Sequence, residues 1–429
     1  MSEPQAERSQ RWVWWICGLL LLASTINYMD RQTLSSTSKQ IIDEFSLTKQ
    51  QYGTIEMAFG LAFAVGASIF GFVSDRTNVR WLYPGVLLLW SAMGFATGLV
   101  ETYTGLLLCR MFLGLFEAGH WPCALKTTQR LLPPKYRTLG NSVLQSGTAI
   151  GAIVTPQIIK AMVTGERGSW RIAFQVLGAI GAAWIILWLL AVRSRDLASQ
   201  PRNASRDPLP NADAGTSAST GTEASYFKLL LSRKFLTLVI VVVSINLCWH
   251  TFRVWMQLFL QDGRGYERND ALDIVTWFNV ATDVGCLTTG FATVALVRRG
   301  WSVHGARCLA FGICALLTAA GVLIPWLPKG SSLEAVIIIM GLGSLGLFPC
   351  YYSLVQEVSQ AHLGKITGTL GTIAWAFSYW HREFGSWVDR TKSYDVGMMV
   401  ASLLPLIALA AMVWLWPRTQ EAKRQMTDV

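Results

Sequence analysis

The sequence contains 429 residues, of which 52% are hydrophobic and only 14% are charged, and its formal net charge is +10. Soluble proteins carry about 25% charged residues, so this composition excludes an ordinary soluble enzyme and a disulfide-stapled scaffold. A positive charge can indicate a nucleic-acid partner, but basic cytoplasmic loops of a membrane protein give the same sum, and we expect a lipid bilayer and no nucleic acid as the partner.

Twelve apolar stretches are each long enough to cross a bilayer, which takes about 20 residues in a helix. They occupy residues 12–29, 57–74, 81–100, 103–125, 138–159, 172–192, 235–252, 274–297, 308–328, 335–356, 366–388 and 396–417. The stretches at 103–125, 274–297 and 366–388 contain charged residues. None shows the alternation of a membrane β-strand, so we predict an all-α membrane protein with twelve transmembrane helices.

A polar segment separates the sixth stretch from the seventh. Residues 193–233 are rich in Ser, Ala, Pro, Asn and Arg and cannot bury a core. The sequence therefore predicts an N-terminal six-helix bundle at 1–192, a flexible cytoplasmic linker at 193–233 and a C-terminal six-helix bundle at 234–429.

Basic residues predict the orientation. The loops that follow even-numbered spans contain more of them, for example Arg130, Lys135 and Arg137, than the loops that follow odd-numbered spans. Because positive loops remain in the cytoplasm, we expect both termini to be cytoplasmic in a multi-pass protein of a bacterial inner membrane.

The loop after the second span reads Gly71-Phe-Val-Ser-Asp75-Arg76-Thr-Asn-Val-Arg80. A glycine at a helix end permits close packing on a neighbouring helix, and an aspartate there can pair with basic groups across the cytoplasmic face. This GxxxDRxxxR spacing resembles the signature loop of the major facilitator superfamily. The resemblance implies two homologous six-helix bundles and a cytoplasmic gate formed by Gly71, Asp75, Arg76 and Arg80.

Four charged residues occupy spans one and four of the first bundle: Asp30, Arg31, Arg110 and Glu117. A charge inside a bilayer is costly unless it is paired or faces water, so each needs a reason to be there. Arg110 and Glu117 are seven residues apart on one helix face, with Gly114 between them. That glycine leaves room for a ligand or for a close helix approach.

These four residues are typical of an anion site. Two arginines from different helices can hold one carboxylate through paired hydrogen bonds, so we expect Arg31 and Arg110 to bind an anion. Asp30 and Glu117 are candidates for proton carriage, because burial favours a neutral carboxyl group and an adjacent arginine favours the ionised one. The alternative is that Asp30–Arg31 and Arg110–Glu117 are structural ion pairs that hold helices together.

Three motifs resemble the anion:cation symporter family. They are N-Y-M-D-R at 27–31, R-x-F-L-G-x-x-E-A-G-x-x-P at 110–122, and G-N-S at 140–142 followed by Q-S-G at 145–147. That family includes bacterial hexuronate, hexonate and glucarate transporters and is related to vesicular glutamate transporters and sialin. The resemblance implies that Arg31 and Arg110 bind the substrate carboxylate, that Tyr28 and Gln145 bind its hydroxyl groups, and that Asp30 and Glu117 couple protons.

The second half departs from that family. In span seven Gln257 stands where relatives usually have a proline. From this half we expect Asn246, Tyr352 and Trp375 to contact the substrate.

Several extra charge-capable groups also occur in the second half, namely His250, Arg253, Asp283 and the run His381-Arg382-Glu383. Our hypothesis is that Arg253, Asp283 and residues 381–383 form one polar network across spans seven, eight and eleven that contacts a larger or doubly charged substrate. The alternative is an internal salt-bridge network that only packs the bundle.

Together these features predict a secondary active transporter that carries an organic carboxylate, a sugar acid such as a hexuronate or hexonate, with protons by alternating access. The sequence has no GxxxxGK[ST] nucleotide loop, no CxxC pair and no zinc-like histidine spacing. We therefore expect no cofactor and no enzymatic activity, and a protein that works as a monomer. A sodium-coupled or exporting organic-anion carrier of the same fold is the alternative.

Overall fold

The computed structural model describes residues 10–132, 134–164, 166–193, 196, 229–356 and 363–416, with only the backbone described at some of them, Asp75 and Gln145 included. Every regular element among these residues is helical. The predicted linker at 193–233 lies almost entirely outside the described residues, as do residues 1–9 and 417–429.

The first half of the chain contains eight α-helices in its described residues. They are α1 (Gln10–Ser36), α2 (Ser38–Phe45), α3 (Lys49–Arg76), α4 (Val79–Thr97), α5 (Tyr103–Glu117), α6 (His120–Leu131), α7 (Pro134–Met162) and α8 (Trp170–Ala191).

The described residues from 229 onwards, the second half, begin with α9 (Arg233–Leu258), which continues as a π-helical turn (Phe259–Gly263). The helices that follow are α10 (Arg268–Arg298), α11 (Val303–Ala319) with a 3₁₀ extension (Ala320–Trp326), α12 (Ser331–Ser344), α13 (Leu347–Gln356), α14 (Leu363–Ala376), a 3₁₀ turn (Phe377–Tyr379), α15 (Trp380–Thr391) and α16 (Asp395–Trp414).

Polar caps determine where several helices begin. Thr48 forms a capping box with Gln51 at the start of α3. The hydroxyl groups of Thr102 and Ser232 accept hydrogen bonds from first-turn backbone N–H groups of α5 and α9. Each cap satisfies a donor that has no partner within the helix, so a short loop can end abruptly in a long apolar helix.

Eight helical segments in the described part of the chain are long and apolar enough to cross a membrane by themselves. The four other predicted spans correspond to α4, to α5 with α6, to α7, and to α14 with α15. The fourth span is interrupted at Ala118 and Gly119, and the eleventh at Phe377–Tyr379. The prediction of an all-α membrane protein with twelve transmembrane helices in two bundles is confirmed.

Because the number of spans is even, α1 begins and α16 ends on the same side of the molecule, here called the termini face. At the other side, the opposite face, both halves share one hydrophobic core that includes Trp170 of the first half and Trp255 of the second. At the termini face each half has its own core, around Trp90 in the first and Phe311 in the second. The halves are therefore packed together at the opposite face and separately at the termini face.

Two glycines bring the halves into backbone contact at the opposite face. A Cβ atom on Gly53 of α3 would lie 1.9 Å from the carbonyl oxygen of His381, and one on Gly385 of α15 would lie 2.1 Å from that of Lys49. No side chain can occupy such a space, so α3 and α15 approach each other only because both positions lack one.

Polar contacts reinforce this closure. The carboxylate of Asp389 in α15 accepts hydrogen bonds from the backbone N–H groups of Lys49 and Gln50, each at 2.8 Å, and so caps the first turn of α3 from the other half. Asp262 of the second half pairs with Lys39 and Lys49 of the first. The conformation described here is thus closed at the opposite face.

Candidate functional site

The candidate site is built on the last turns of α1 and on α5. The first apolar stretch ends at residue 29, but α1 continues to Ser36, so Asp30 and Arg31 lie inside the helix. Arg31 and Arg110 are 4% and 0% exposed, and Asp30 and Glu117 are also buried. We call these four side chains the central cluster.

One ion pair within the central cluster joins two helices. Arg31 Nε donates to Glu117 Oε1 at 2.6 Å, with the guanidinium on α1 and the carboxylate on α5. The alternative interpretation, with Asp30–Arg31 and Arg110–Glu117 as structural ion pairs, is wrong in its partners, since neither pair is among the ion pairs of the described residues. Arg31 reaches Glu117 through the buried interior of the first half, whereas sequence spacing compares only residues on one helix.

Arg110 has a weaker set of contacts. Its Nη1 atom lies 3.4 Å from the main-chain oxygen of Asp30, and its guanidinium lies 5.0 Å from the ring centroid of Phe59. Its Nε and Nη2 atoms have no hydrogen-bond partner among the described residues. A fully buried guanidinium with two free donor nitrogen atoms can bind an anion through hydrogen bonds.

Other atoms of the cluster are also without partners in the described part of the chain. They are Nη2 of Arg31, Oδ1 of Asp30 and Oε2 of Glu117. Buried polar groups are nearly always satisfied, so these donors and acceptors indicate that a ligand, protons or water complete the site. The arrangement offers guanidinium donors to an anion and carboxylate oxygens to protons.

Gly114 was expected either to leave room for a ligand or to permit a close helix approach, and the structure shows the close approach. A Cβ atom there would lie 2.3 Å from the carbonyl oxygen of Phe59, so the glycine permits close approach of α5 and α3 and leaves no room for a ligand at that point.

Aromatic rings surround the Arg31 guanidinium. Its Cζ atom lies 5.5 Å from the ring centroid of Tyr28, 5.4 Å from Phe59, 4.8 Å from Phe63 and 5.5 Å from Trp375. Trp375 belongs to α14 of the second half, so the cluster lies at the boundary between the halves. Because these rings exclude water, they strengthen any charge interaction formed there.

A second buried ion pair connects the two halves. Arg253 of α9 donates from Nη2 to Oε2 of Glu56 in α3 at 2.8 Å. Its Nη1 atom lies 3.4 Å from the main-chain oxygen of Arg31, and its Nε atom lies 3.3 Å from Nδ1 of His250. We call Glu56–Arg253 the outer pair, because it lies on the opposite-face side of the central cluster.

The expected network of Arg253, Asp283 and residues 381–383 is therefore wrong. Arg253 turns to the first half. His381 accepts a hydrogen bond from Trp255 at 3.3 Å, and Arg382 and Glu383 form a partly exposed pair at 3.9 Å. Asp283 is in none of the ion pairs of the described residues. Arg253 and Glu56 are 197 residues apart in the sequence, so the sequence pattern did not indicate that they form a pair.

The remaining predicted substrate residues are less closely associated with the cluster. The Asn246 side chain donates to the Val242 carbonyl oxygen of its own helix at 2.9 Å. Tyr352 is 49% exposed. The side chain of Gln145 lies outside the described part of the chain.

The predicted gate loop is loosely packed at Gly71 in this conformation. A Cβ atom on Gly71 would have no neighbour within 4 Å, so the close packing expected at this glycine is wrong here, because the halves are apart at the termini face. The guanidinium of Arg76 lies 3.4 Å from the Phe72 ring and that of Arg80 lies 4.9 Å from the Trp81 ring. At Asp75 the structure describes the backbone only.

Three site residues were not predicted by the sequence. Glu56 was placed just outside the second stretch, although a carboxylate one residue before an apolar run is itself a signal. No sequence pattern distinguishes Phe59 and Phe63, which surround the Arg31 guanidinium, from aromatic residues that face lipid.

Comparison with known proteins gives a family match over most of the chain. Residues 20–379 match the family model described as Major Facilitator Superfamily. The hexuronate transporter of Escherichia coli (strain K12) is 25% identical over 345 residues, which are 80% of this chain and 74% of that protein. The galacturonate transporter of Dickeya chrysanthemi is 23% identical over 65% of this chain and 80% of its own length.

Solved structures agree in fold. A bacterial homologue of the human lysosomal transporter Spinster, in an inward-facing and unoccupied conformation, has a TM-score of 0.70 at 17% identity, with 95% of each chain covered. A D-xylose–proton symporter has a TM-score of 0.70 at 14% identity, with 95% of this chain and 98% of the other covered.

Proposed function

Because the chain belongs to the major facilitator superfamily, we propose that it is a secondary active transporter that carries a sugar acid, such as a hexuronate or hexonate, together with protons. Similar curated proteins are transporters of hexuronate and galacturonate, which have a carboxylate in common. The central cluster supplies the chemistry that such a substrate requires.

The observation that carries this proposal is the state of the two arginines. Arg31 and Arg110 are buried and together retain three N–H-bearing nitrogen atoms without a partner among the described residues. A guanidinium presents parallel donors that match a carboxylate, and a buried pair of them gains more from such an anion than exposed cations do.

Proton coupling follows because the Glu117 carboxylate and the substrate carboxylate compete for the Arg31 guanidinium. In the conformation described here Glu117 occupies its Nε atom. A substrate carboxylate that takes this place separates Glu117 from its cation, and a buried carboxylate without a cation is far more stable when neutral. Substrate binding is therefore expected to draw a proton onto Glu117, with Asp30 as a second carrier, so that the two cargoes move together.

Alternating access supplies the rest of the cycle. The halves are closed at the opposite face, and rocking one on the other would open it and close the termini face. With both termini in the cytoplasm of a bacterial inner membrane, this conformation is the one closed to the outside. We propose that a single chain carries out the cycle.

The proposed activity is tested with purified protein in proteoliposomes. We expect an inward proton gradient to drive accumulation of radiolabelled D-galacturonate or D-galactonate in the absence of sodium. Accumulation that requires a sodium gradient and does not depend on the proton gradient would favour the sodium-coupled carrier. Absence of transport of both acids would contradict the proposal.

Glu117→Gln tests the coupling. The amide retains a hydrogen bond to Arg31 but carries no charge and takes up no proton. We expect exchange of labelled for unlabelled substrate to continue while proton-driven accumulation is lost. Asp283→Asn, which also neutralises a carboxylate within a transmembrane helix, serves as the control and should accumulate substrate normally. Unchanged accumulation by Glu117→Gln would exclude Glu117 as the carrier.

A further inference from the structure

A small cavity with both polar and apolar walls lies between the halves, beside the outer pair. It is lined by Gln32, Ser35 and Ser36 of α1 and by Arg253, Gln257 and Asn279 of the second half, with Phe252, Met256, Val275 and Phe278 completing the wall. It offers about 10 Å³ to the centre of a water molecule, close to the least that one water needs.

The cavity contains polar groups without partners. Gln257 is 2% exposed, and neither its side-chain nitrogen nor its oxygen has a hydrogen-bond partner in the described residues. The hydroxyl group of Ser36 is in the same state. A buried amide that lacks both bonds is costly, so a water molecule or a ligand group is expected to bind Gln257.

The distance from the central cluster is suitable for the remote end of a substrate. Ser35 is four residues beyond Arg31, about 6 Å along the helix axis at 1.5 Å per residue. Five carbon–carbon bonds of about 1.5 Å also extend to about 6 Å. A six-carbon acid is thus about as long as one turn of α1, and the cavity adjoins the cluster through Arg253, whose Nη1 atom lies 3.4 Å from the main-chain oxygen of Arg31.

We propose that this cavity is a subsite for the distal hydroxyl groups of a polyhydroxylated acid, with Gln257 as the residue that distinguishes such an acid from a deoxy analogue. The inference rests on the proposed function, because the carboxylate must be held by the central cluster. Closed as it is here, the cavity holds no more than a water molecule. Residues of both halves line the cavity, so the cavity widens when the opposite face opens. A substrate that enters from the opposite face then contacts the cavity.

The test compares two acids in proteoliposomes that take up labelled D-galactonate. The measured quantities are the inhibition constants of unlabelled D-galactonate and of 6-deoxy-D-galactonate, which lacks the terminal hydroxyl. We expect the wild-type protein to bind D-galactonate about tenfold more tightly than its deoxy analogue, the effect of one hydrogen bond to a buried group. In Gln257→Met this preference should disappear through weaker binding of D-galactonate, while the constant for the deoxy acid remains the same.

Gln175→Met is the matched control. Gln175 donates to the Gly98 carbonyl oxygen at 3.2 Å within the first half, so this variant also loses a glutamine hydrogen bond but should retain the tenfold preference. Ser36→Ala is the second variant, should Gln257→Met fail to fold, and should reduce the preference in the same direction.

The outcomes separate the two proposals. A wild-type preference that persists in Gln257→Met and in Ser36→Ala would overturn the subsite, and would indicate that Gln257 only binds a water molecule. Equal weakening of both acids would overturn it too, since that is the effect of a general structural role. If the wild-type protein takes up neither D-galactonate nor D-galacturonate, the proposed function itself fails.

Discussion

Arg110→Ala is expected to weaken binding of the substrate carboxylate by about 100-fold or more, the usual effect of removing one partner from a buried, hydrogen-bonded charge pair. Arg110 is fully buried and retains two unpartnered donors, so its role in the empty protein is small and its role with an anion bound is large. The same result is expected for Arg31→Ala. Affinity is measured by titration calorimetry on purified protein, with size-exclusion chromatography to show that each variant is folded.

Two further variants make this prediction specific. Arg110→Lys retains the charge but not the planar set of donors, so we expect it to recover only part of the affinity. Arg171→Ala is the control, because Arg171 forms an ion pair with Glu44 at 2.5 Å outside the central cluster and should leave affinity unchanged. Retained affinity in Arg31→Ala or Arg110→Ala would remove that arginine from the site.

Glu56→Gln is expected to shift the protein towards a conformation that is open at the opposite face. The change leaves Arg253 buried between the halves without a counter-ion, and breaking a buried ion pair in this way costs about 3–5 kcal/mol. Opening the opposite face gives the guanidinium access to water and removes that cost. The closed conformation is therefore the one that is destabilised.

Hydrogen–deuterium exchange measured by mass spectrometry can follow this shift. In Glu56→Gln we expect faster exchange at the start of α3, around Lys49 and Gln50, whose amides Asp389 caps only when the halves meet. Arg253→Met should give a smaller change, because a neutral glutamic acid at position 56 needs no counter-ion. Glu44→Gln breaks an ion pair within the first half and should leave this region protected. Equal protection in Glu56→Gln and wild type would show that the outer pair does not hold the halves together.

Composition and spacing predicted the fold. A bilayer requires long apolar helices, so twelve stretches of sufficient length already limit the chain to one class of architecture. The same reasoning located Asp30, Arg31, Arg110 and Glu117, because a charge inside an apolar span is rare and needs a reason.

The sequence by itself thus determined how many times the chain crosses the membrane and which side chains are unusual there, since both depend on local composition. Which of those side chains meet was decided only by the tertiary structure. Arg31 binds Glu117 rather than its neighbour, and Arg253 crosses to Glu56 rather than to Asp283, because both contacts depend on how separate helices are placed in three dimensions. Gln257 likewise has significance only through the cavity that it lines.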